Sequence, residues 1–111
     1  MEQIDAVTAL AALAQPHRLR VFRRLVVAGL DGLTPGVLAQ GLGIPPATLS
    51  FHLKELLHAD LITQQRSGRH LVYRVRFERM QGLLTFLTDN CCGGEPCAEV
   101  AAVCNTCTET A

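Results

Sequence analysis

Cysteine is missing from the first 90 residues of this 111-residue chain; all five, Cys91, Cys92, Cys97, Cys104 and Cys107, crowd into the end. The body therefore has no disulfide framework, and in a cytoplasmic chain such clustering speaks for metal binding or redox chemistry. No stretch approaches the ~20 apolar residues that a membrane-spanning helix needs. The N-terminus lacks the basic-then-apolar pattern of a secretion signal, so a cytoplasmic protein with no membrane partner is expected. Net charge is also absent, with ten basic residues against ten acidic, which on its face argues against nucleic acid. Basic residues, however, are lacking everywhere outside Arg18 to Arg79. Within those bounds all ten face only Asp31, Glu55, Asp60 and Glu78, a local charge of +6. Glu2, Asp5, Asp89, Glu95, Glu99 and Glu109 lie toward the two ends. A basic middle between acidic ends is compatible with a localised phosphate-binding surface, and equally with ordinary solvated charge.

What the chain has is enough apolar material, 49% of residues, to bury one small core. Residues 2–14 are nearly all helix formers. Ile4, Val7, Leu10, Ala11 and Ala14 line one side, while Ala6, Ala9 and Leu13 make the rest apolar. A helix apolar on most sides needs two surfaces to pack against, its own domain and a second subunit. Pro16 opens a second helix to about Ala28 with Leu19, Phe22, Leu25 and Val26 inward, ended by Gly29 and the Asp31-Gly32 turn. Thr34-Pro35 reads as cap and first residue of a short helix ending near Gly41.

Residues 45–62 carry the most information. Wound at about 3.6 residues per turn, they put Leu49, Leu53, Leu56 and Leu57 on one side and Ala47, Thr48, Phe51, Lys54, Glu55 and His58 on the other. Ser50 and His52 fall on the flanks. Small residues at the N-terminal end of the outward face suit close approach to base edges in a major groove, although many amphipathic surface helices share the pattern. Residues 61–66 and 70–76 read as two strands around Ser67-Gly68; Leu71, Tyr73 and Val75 alternate with Val72, Arg74 and Arg76. A hairpin bearing Arg66, Arg69, Arg74 and Arg76, directly after such a helix, reads as the wing of a winged helix, with Tyr73 in its core. Residues 77–90 form a last helix with Phe77, Met80, Leu83, Leu84 and Leu87 at near-seam spacing, suited to pairing with the first helix across a two-fold axis. The expected fold is mainly α with a β-hairpin, a winged helix-turn-helix, dimerised through its first and last helices. Residues 1–90 make the DNA-binding and dimerisation domain, and residues 91–111 a cysteine-rich tail.

This order resembles the ArsR/SmtB family of metalloregulatory repressors. Leu13-Ala14-Gln15-Pro16-His17-Arg18 is similar to the family's entry to its second helix, and Ser50-Phe51-His52-Leu53 to the Ser-x-His-Leu core of its recognition helix. Ala59-Asp60-Leu61-Ile62 stands where the family usually has Ala-Gly-Leu-Val, so the aspartate is a departure. The resemblance implies a homodimeric repressor that leaves its operator when an inducer binds. Thr48, Ser50, Phe51, His52 and Lys54 are then expected in the major groove, with Phe51 or Thr48 on thymine methyls, and Arg66, Arg69 and Arg74 on the phosphate backbone. Two sensing sites familiar in the family are missing. Residues 34–41 hold no cysteine, and residues 80–88 hold no Asp, Glu or His.

The tail is left as the place for an inducer. Asn90-Cys91-Cys92-Gly93-Gly94 lets a helix stop and the chain curl, so that Cys97 can join the pair. Three thiolates without histidine suit a soft centre, and trivalent arsenic, As(III), bonds three sulfurs in a pyramid. A subset of ArsR proteins resembles this chain in carrying its sensing cysteines after the last helix, which implies As(III) or Sb(III) as inducer and no permanent cofactor. Free thiols titrate near ~8.5, so binding releases protons and affinity should fall in acid. Cys104 and Cys107 can supply an auxiliary ligand or complete a four-cysteine zinc or cadmium site. A redox dithiol switch and a purely structural zinc tail are the other readings. A thiol enzyme is not expected, since these cysteines follow a helix C-terminus among Glu95 and Glu99, the opposite of a thiolate-stabilising setting. His17, His52, His58 and His70 fit no compact ligand spacing.

Overall fold

The computed structural model describes residues 1–94. Five helices and one hairpin follow in order: α1 (Gln3–Leu13), α2 (Pro16–Ala28), α3 (Pro35–Leu42), α4 (Pro46–His58), β1 (Ile62–Ser67), β2 (His70–Val75) and α5 (Phe77–Thr88). A 3-10 turn, Gly29–Asp31, follows α2, and another, Cys91–Gly94, follows α5.

Prolines set three of the helix starts. Pro16 and Pro35 occupy the first helical position, where their missing N–H costs nothing. The side chain of Gln15 accepts from the Arg18 amide at 2.9 Å, and Thr34 Oγ1 from the Val37 amide at 3.4 Å. Pro46 opens α4 in the same way. Between α3 and α4, Gly43 adopts the left-handed conformation (φ 67°, ψ 31°), which turns the chain sharply enough to make a helix-turn-helix. After α4, Asp60 takes φ 61°. The aspartate thus adopts the left-handed turn that glycine would, a conformation its short polar side chain tolerates.

The core is filled by Val21 and Leu25 of α2, Leu38 of α3, Leu49, Leu53 and Leu56 of α4, and Leu61, Ile62, Tyr73 and Val75 of the hairpin. The two strands pair antiparallel from Ile62↔Val75 to Ser67↔His70. Register places the two-residue turn at Gly68-Arg69, one residue beyond the expected Ser67-Gly68, with Gly68 at φ 62°. Arg69 therefore sits at the very tip. An isolated bridge joins Leu33 to Tyr73 and ties the wing to the segment before α3.

One face that the sequence left open is decided, and one expectation is corrected. On α1 it is the alanines Ala6, Ala9 and Ala12 that face the core, because close packing of this helix leaves room only for methyl groups. Ile4, Val7 and Leu10 point outward, Ile4 being 72% exposed. On α2, Leu19 is not inward but 45% exposed, and Val21 takes the buried place. Leu84 and Leu87 of α5 are also exposed, and α5 lies beside α1, held by Arg79 to Asp5 at 3.4 Å. The outward faces of α1 and α5 thus carry large apolar side chains that none of the described residues covers.

Candidate nucleic-acid interface and thiol pair

On α4 the solvent side is formed by Ala47, Thr48, Ser50, Phe51, Lys54 and His58, all exposed. Small and hydroxyl groups occupy the first turn, and a phenyl ring at 54% exposure follows. The wing offers Arg66 and Arg69, both exposed. Between its tip and the start of α3 opens a cleft of about 580 Å³ whose lining includes Thr34, Gly36, Gln40, Arg66, Arg69 and His70. Arginines on one wall and a helix start on the other suit a phosphate oxygen.

Arg74 is placed differently from its two neighbours. Its Nε donates to the Leu30 carbonyl at 2.7 Å and its Nη1 to Gln65 at 3.0 Å. It braces the root of the wing against the 3-10 turn.

His52 is the clearest departure from expectation. It is 5% exposed, so it cannot present its ring to a base edge from this position. α2 covers it: the Arg18 Nε donates to His52 Nδ1 at 3.4 Å, and the His17 ring lies 5.6 Å away. Burial, and then the positive charge of Arg18, push its pKa below 6.5, His17 adding to the effect and Glu55 opposing it. An acceptor at Nδ1 implies the proton sits on Nε2, an assignment made from this contact. Above pH 6.5 folding is unaffected by this group. As pH falls below that value the unfolded chain takes up a proton that folded His52 resists, so stability drains until its lowered pKa is passed. Urea midpoints should therefore drop as the pH is lowered through 6.5, and the drop should shrink in His52→Gln.

At the far end of α5 the helix stops at Thr88, and Asn90 and Cys92 both take positive φ, 56° and 58°. The turn brings Cys91 Sγ and Cys92 Sγ to 3.7 Å. A soft ion bound by two thiolates at about 2.3 Å in tetrahedral geometry spans nearly the same edge. Among the described residues no group of three His, Cys, Asp or Glu comes together to hold a metal. Cys97, Cys104 and Cys107 lie outside the described residues. Likewise, no helix among the described residues is long and apolar enough to cross a membrane.

The role of Arg18 had no local sequence signal, because its partners sit 34 positions away. The same is true of Arg20, whose Nη2 donates to the Leu42 carbonyl at the end of α3 at 2.9 Å.

A family model described as a helix-turn-helix domain matches residues 13–65, the span from the end of α1 into β1. The uncharacterized HTH-type transcriptional regulator YdfF of Bacillus subtilis is 50% identical over 65 residues, covering 57% of this chain and 27% of that protein. The chain thus spans about a quarter of the length of that relative. An ArsR-like transcriptional regulator from Rhodococcus sp. RHA1 shares the fold, with a TM-score of 0.68 at 21% identity over 76% of each chain. A crystal structure described as a possible transcriptional regulator for arsenical resistance is 28% identical, with a TM-score of 0.61 over 71% of this chain and 79% of its own. Each of these is described as a transcriptional regulator, the last as a possible one.

Proposed function

We propose, from the premise that this is a winged helix-turn-helix protein built like the ArsR-type transcriptional regulators, that it is an arsenic-responsive repressor. It binds operator DNA as a homodimer and lets go when Cys91, Cys92 and Cys97 bind As(III) or Sb(III). The observation that carries the inducer is the pair of thiols at 3.7 Å, three residues beyond α5. The likeness to a regulator described for arsenical resistance supports the same choice.

DNA contact rests on the exposed first turns of α4 beside the arginine-tipped wing. Thr48, Ser50, Phe51 and Lys54 face the groove, while Arg66 and Arg69 hold phosphates and position without specifying. Arg69→Ala should weaken operator and unrelated DNA alike. It should also reduce the steepness of log affinity against log salt by about 0.9, the share of one phosphate contact. A changed sequence preference at constant salt slope would refute that role.

The second subunit covers the outward faces of α1 and α5, burying Ile4, Val7, Leu10, Leu84 and Leu87. Because α5 carries both that seam and the thiol turn, closing three sulfurs on one ion pulls on the helix that sets subunit spacing. Two recognition helices must lie about 34–36 Å apart to read successive major grooves, so a tilted seam costs affinity.

Fluorescence anisotropy of labelled promoter DNA with reduced protein, titrated with arsenite and separately with zinc, tests the proposal. Release by arsenite is the expected result. Release by zinc alone would move the assignment to a four-thiolate zinc or cadmium site that recruits Cys104 and Cys107, which the same 3.7 Å edge accommodates. Release by neither would refute both and leave an oxidant as the next titrant.

A further inference from the structure

Phe51 poses a physical problem that the exposed face of α4 does not solve alone. A phenyl ring in solvent swings between rotamers, and an apolar contact discriminates between bases only when its donor of contact is held in place. The structure holds it from outside the helix. The guanidinium carbon of Arg18 lies over the ring at 5.7 Å from its centroid, within the range of a cation–π contact. The His52 ring meets it edge-on at 5.6 Å and 64°.

Arg18 is itself fixed at two points. Its backbone amide donates to the Gln15 side chain at 2.9 Å, locking the first turn of α2. Its Nε donates to the buried His52 Nδ1 at 3.4 Å. The planar fork therefore hangs on a side chain that belongs to α4 itself, one residue from the ring it covers. Lysine has a single mobile ammonium and cannot both donate sideways from an Nε and lie flat on a ring.

We propose that Arg18 is a positioning residue for sequence reading: anchored on His52, it fixes the Phe51 ring so that the ring can select a thymine methyl. Arg18 contributes to which sequence is bound rather than to how tightly DNA in general is held. The inference rests on the reading that α4 enters the major groove, and the test separates the two.

Wild-type protein is first used to select a binding sequence from random duplex DNA. If no sequence is enriched, the DNA-reading assignment itself fails. With a selected operator, each thymine is replaced in turn by deoxyuridine, which removes only the methyl group. Wild-type protein should lose about fourfold in affinity at one position per half-site, the worth of one buried methyl. In Arg18→Lys that loss should vanish, while affinity for unrelated DNA and its salt slope stay unchanged. Phe51→Leu should also abolish it, and the double variant should be no worse than either single one, because both remove the same contact. Three results would overturn the proposal. One is an undiminished deoxyuridine penalty in Arg18→Lys. Another is the absence of any such penalty in the wild type. The third is a uniform loss on all DNA with a shallower salt slope in Arg18→Leu, which would make Arg18 a phosphate contact.

Discussion

Gly32→Ala should lower the free energy of unfolding by about 3–5 kcal/mol, a large part of the 5–15 typical of a domain this size. Gly32 sits at φ 68° and ψ −175°, a region essentially confined to glycine, where a side chain costs about 1–3 kcal/mol. The added Cβ would also lie 2.6 Å from the Tyr73 carbonyl oxygen, 2.7 Å from Val72 Cγ1 and 2.8 Å from Arg74 Cγ. The carbonyl cannot yield cheaply. It accepts from the Leu33 amide at 3.0 Å, and the Tyr73 amide donates to the Leu33 carbonyl at 2.8 Å. Making room means breaking the pair that ties the wing to the body. Arg74, which reaches the Leu30 carbonyl from the same strand, would be displaced with it.

Gly43→Ala supplies the control. Gly43 also has positive φ, 67°, but with ψ 31° it lies in the ordinary left-handed well, and a Cβ there meets nothing within 4 Å. Its cost should be only about 1–2 kcal/mol, the penalty of that well alone. Urea denaturation of the two variants decides the matter. Equal losses would mean that the contact of Gly32 with β2 carries no weight and the wing is tethered elsewhere. Because the wing bears Arg66 and Arg69, Gly32→Ala should also weaken DNA binding under conditions where it remains folded.

How far such features are legible in sequence depends on whether their cause is local. The starts of α2, α3 and α4 follow from Pro16, Pro35 and Pro46, whose fixed φ and missing N–H act within one turn. The buried Tyr73 and Val75 follow from strict alternation, and Leu49, Leu53 and Leu56 from helical spacing. The facing of α1 does not follow, since a helix apolar all round does not say which side meets the core. Only the close approach of neighbouring helices selects Ala6 and Ala9 for it. His52 illustrates the same limit in the site. On a helical wheel it falls on a flank, and what buries it is the first turn of α2, brought over it by the tertiary fold. Its bond to Arg18, and the stacking of Arg18 on Phe51, become visible only with that placement. The exposed Thr48, Phe51 and Lys54 needed nothing beyond the wheel.

Cys91→Ser and Cys92→Ser should each remove arsenite-driven release from DNA while leaving DNA affinity intact. An inducer acts through its coupling energy, typically about 1–3 kcal/mol, or a 5–150-fold weakening of operator binding; in the variants this factor should fall to one. Serine keeps nearly the size of cysteine, so the turn at Cys91–Gly94 survives, but its hard, protonated oxygen is a poor ligand for a soft ion. Neither thiol belongs to the core, whose last buried side chain along the described chain is Leu83, so melting temperatures should be unchanged. Cys97→Ser should behave in the same way. Cys104→Ser and Cys107→Ser separate the donor sets: a three-thiolate site leaves both responsive, whereas a four-thiolate site loses release in at least one. Removal of residues 91–111 is the strictest form of the test. The truncated chain should bind operator with wild-type affinity and ignore arsenite at every concentration. If it instead lost DNA binding, the tail would be holding the dimer together rather than switching it. The thiol pair would then be a structural ligand set placed at the end of α5, where dimer stability and not inducer sensing is decided.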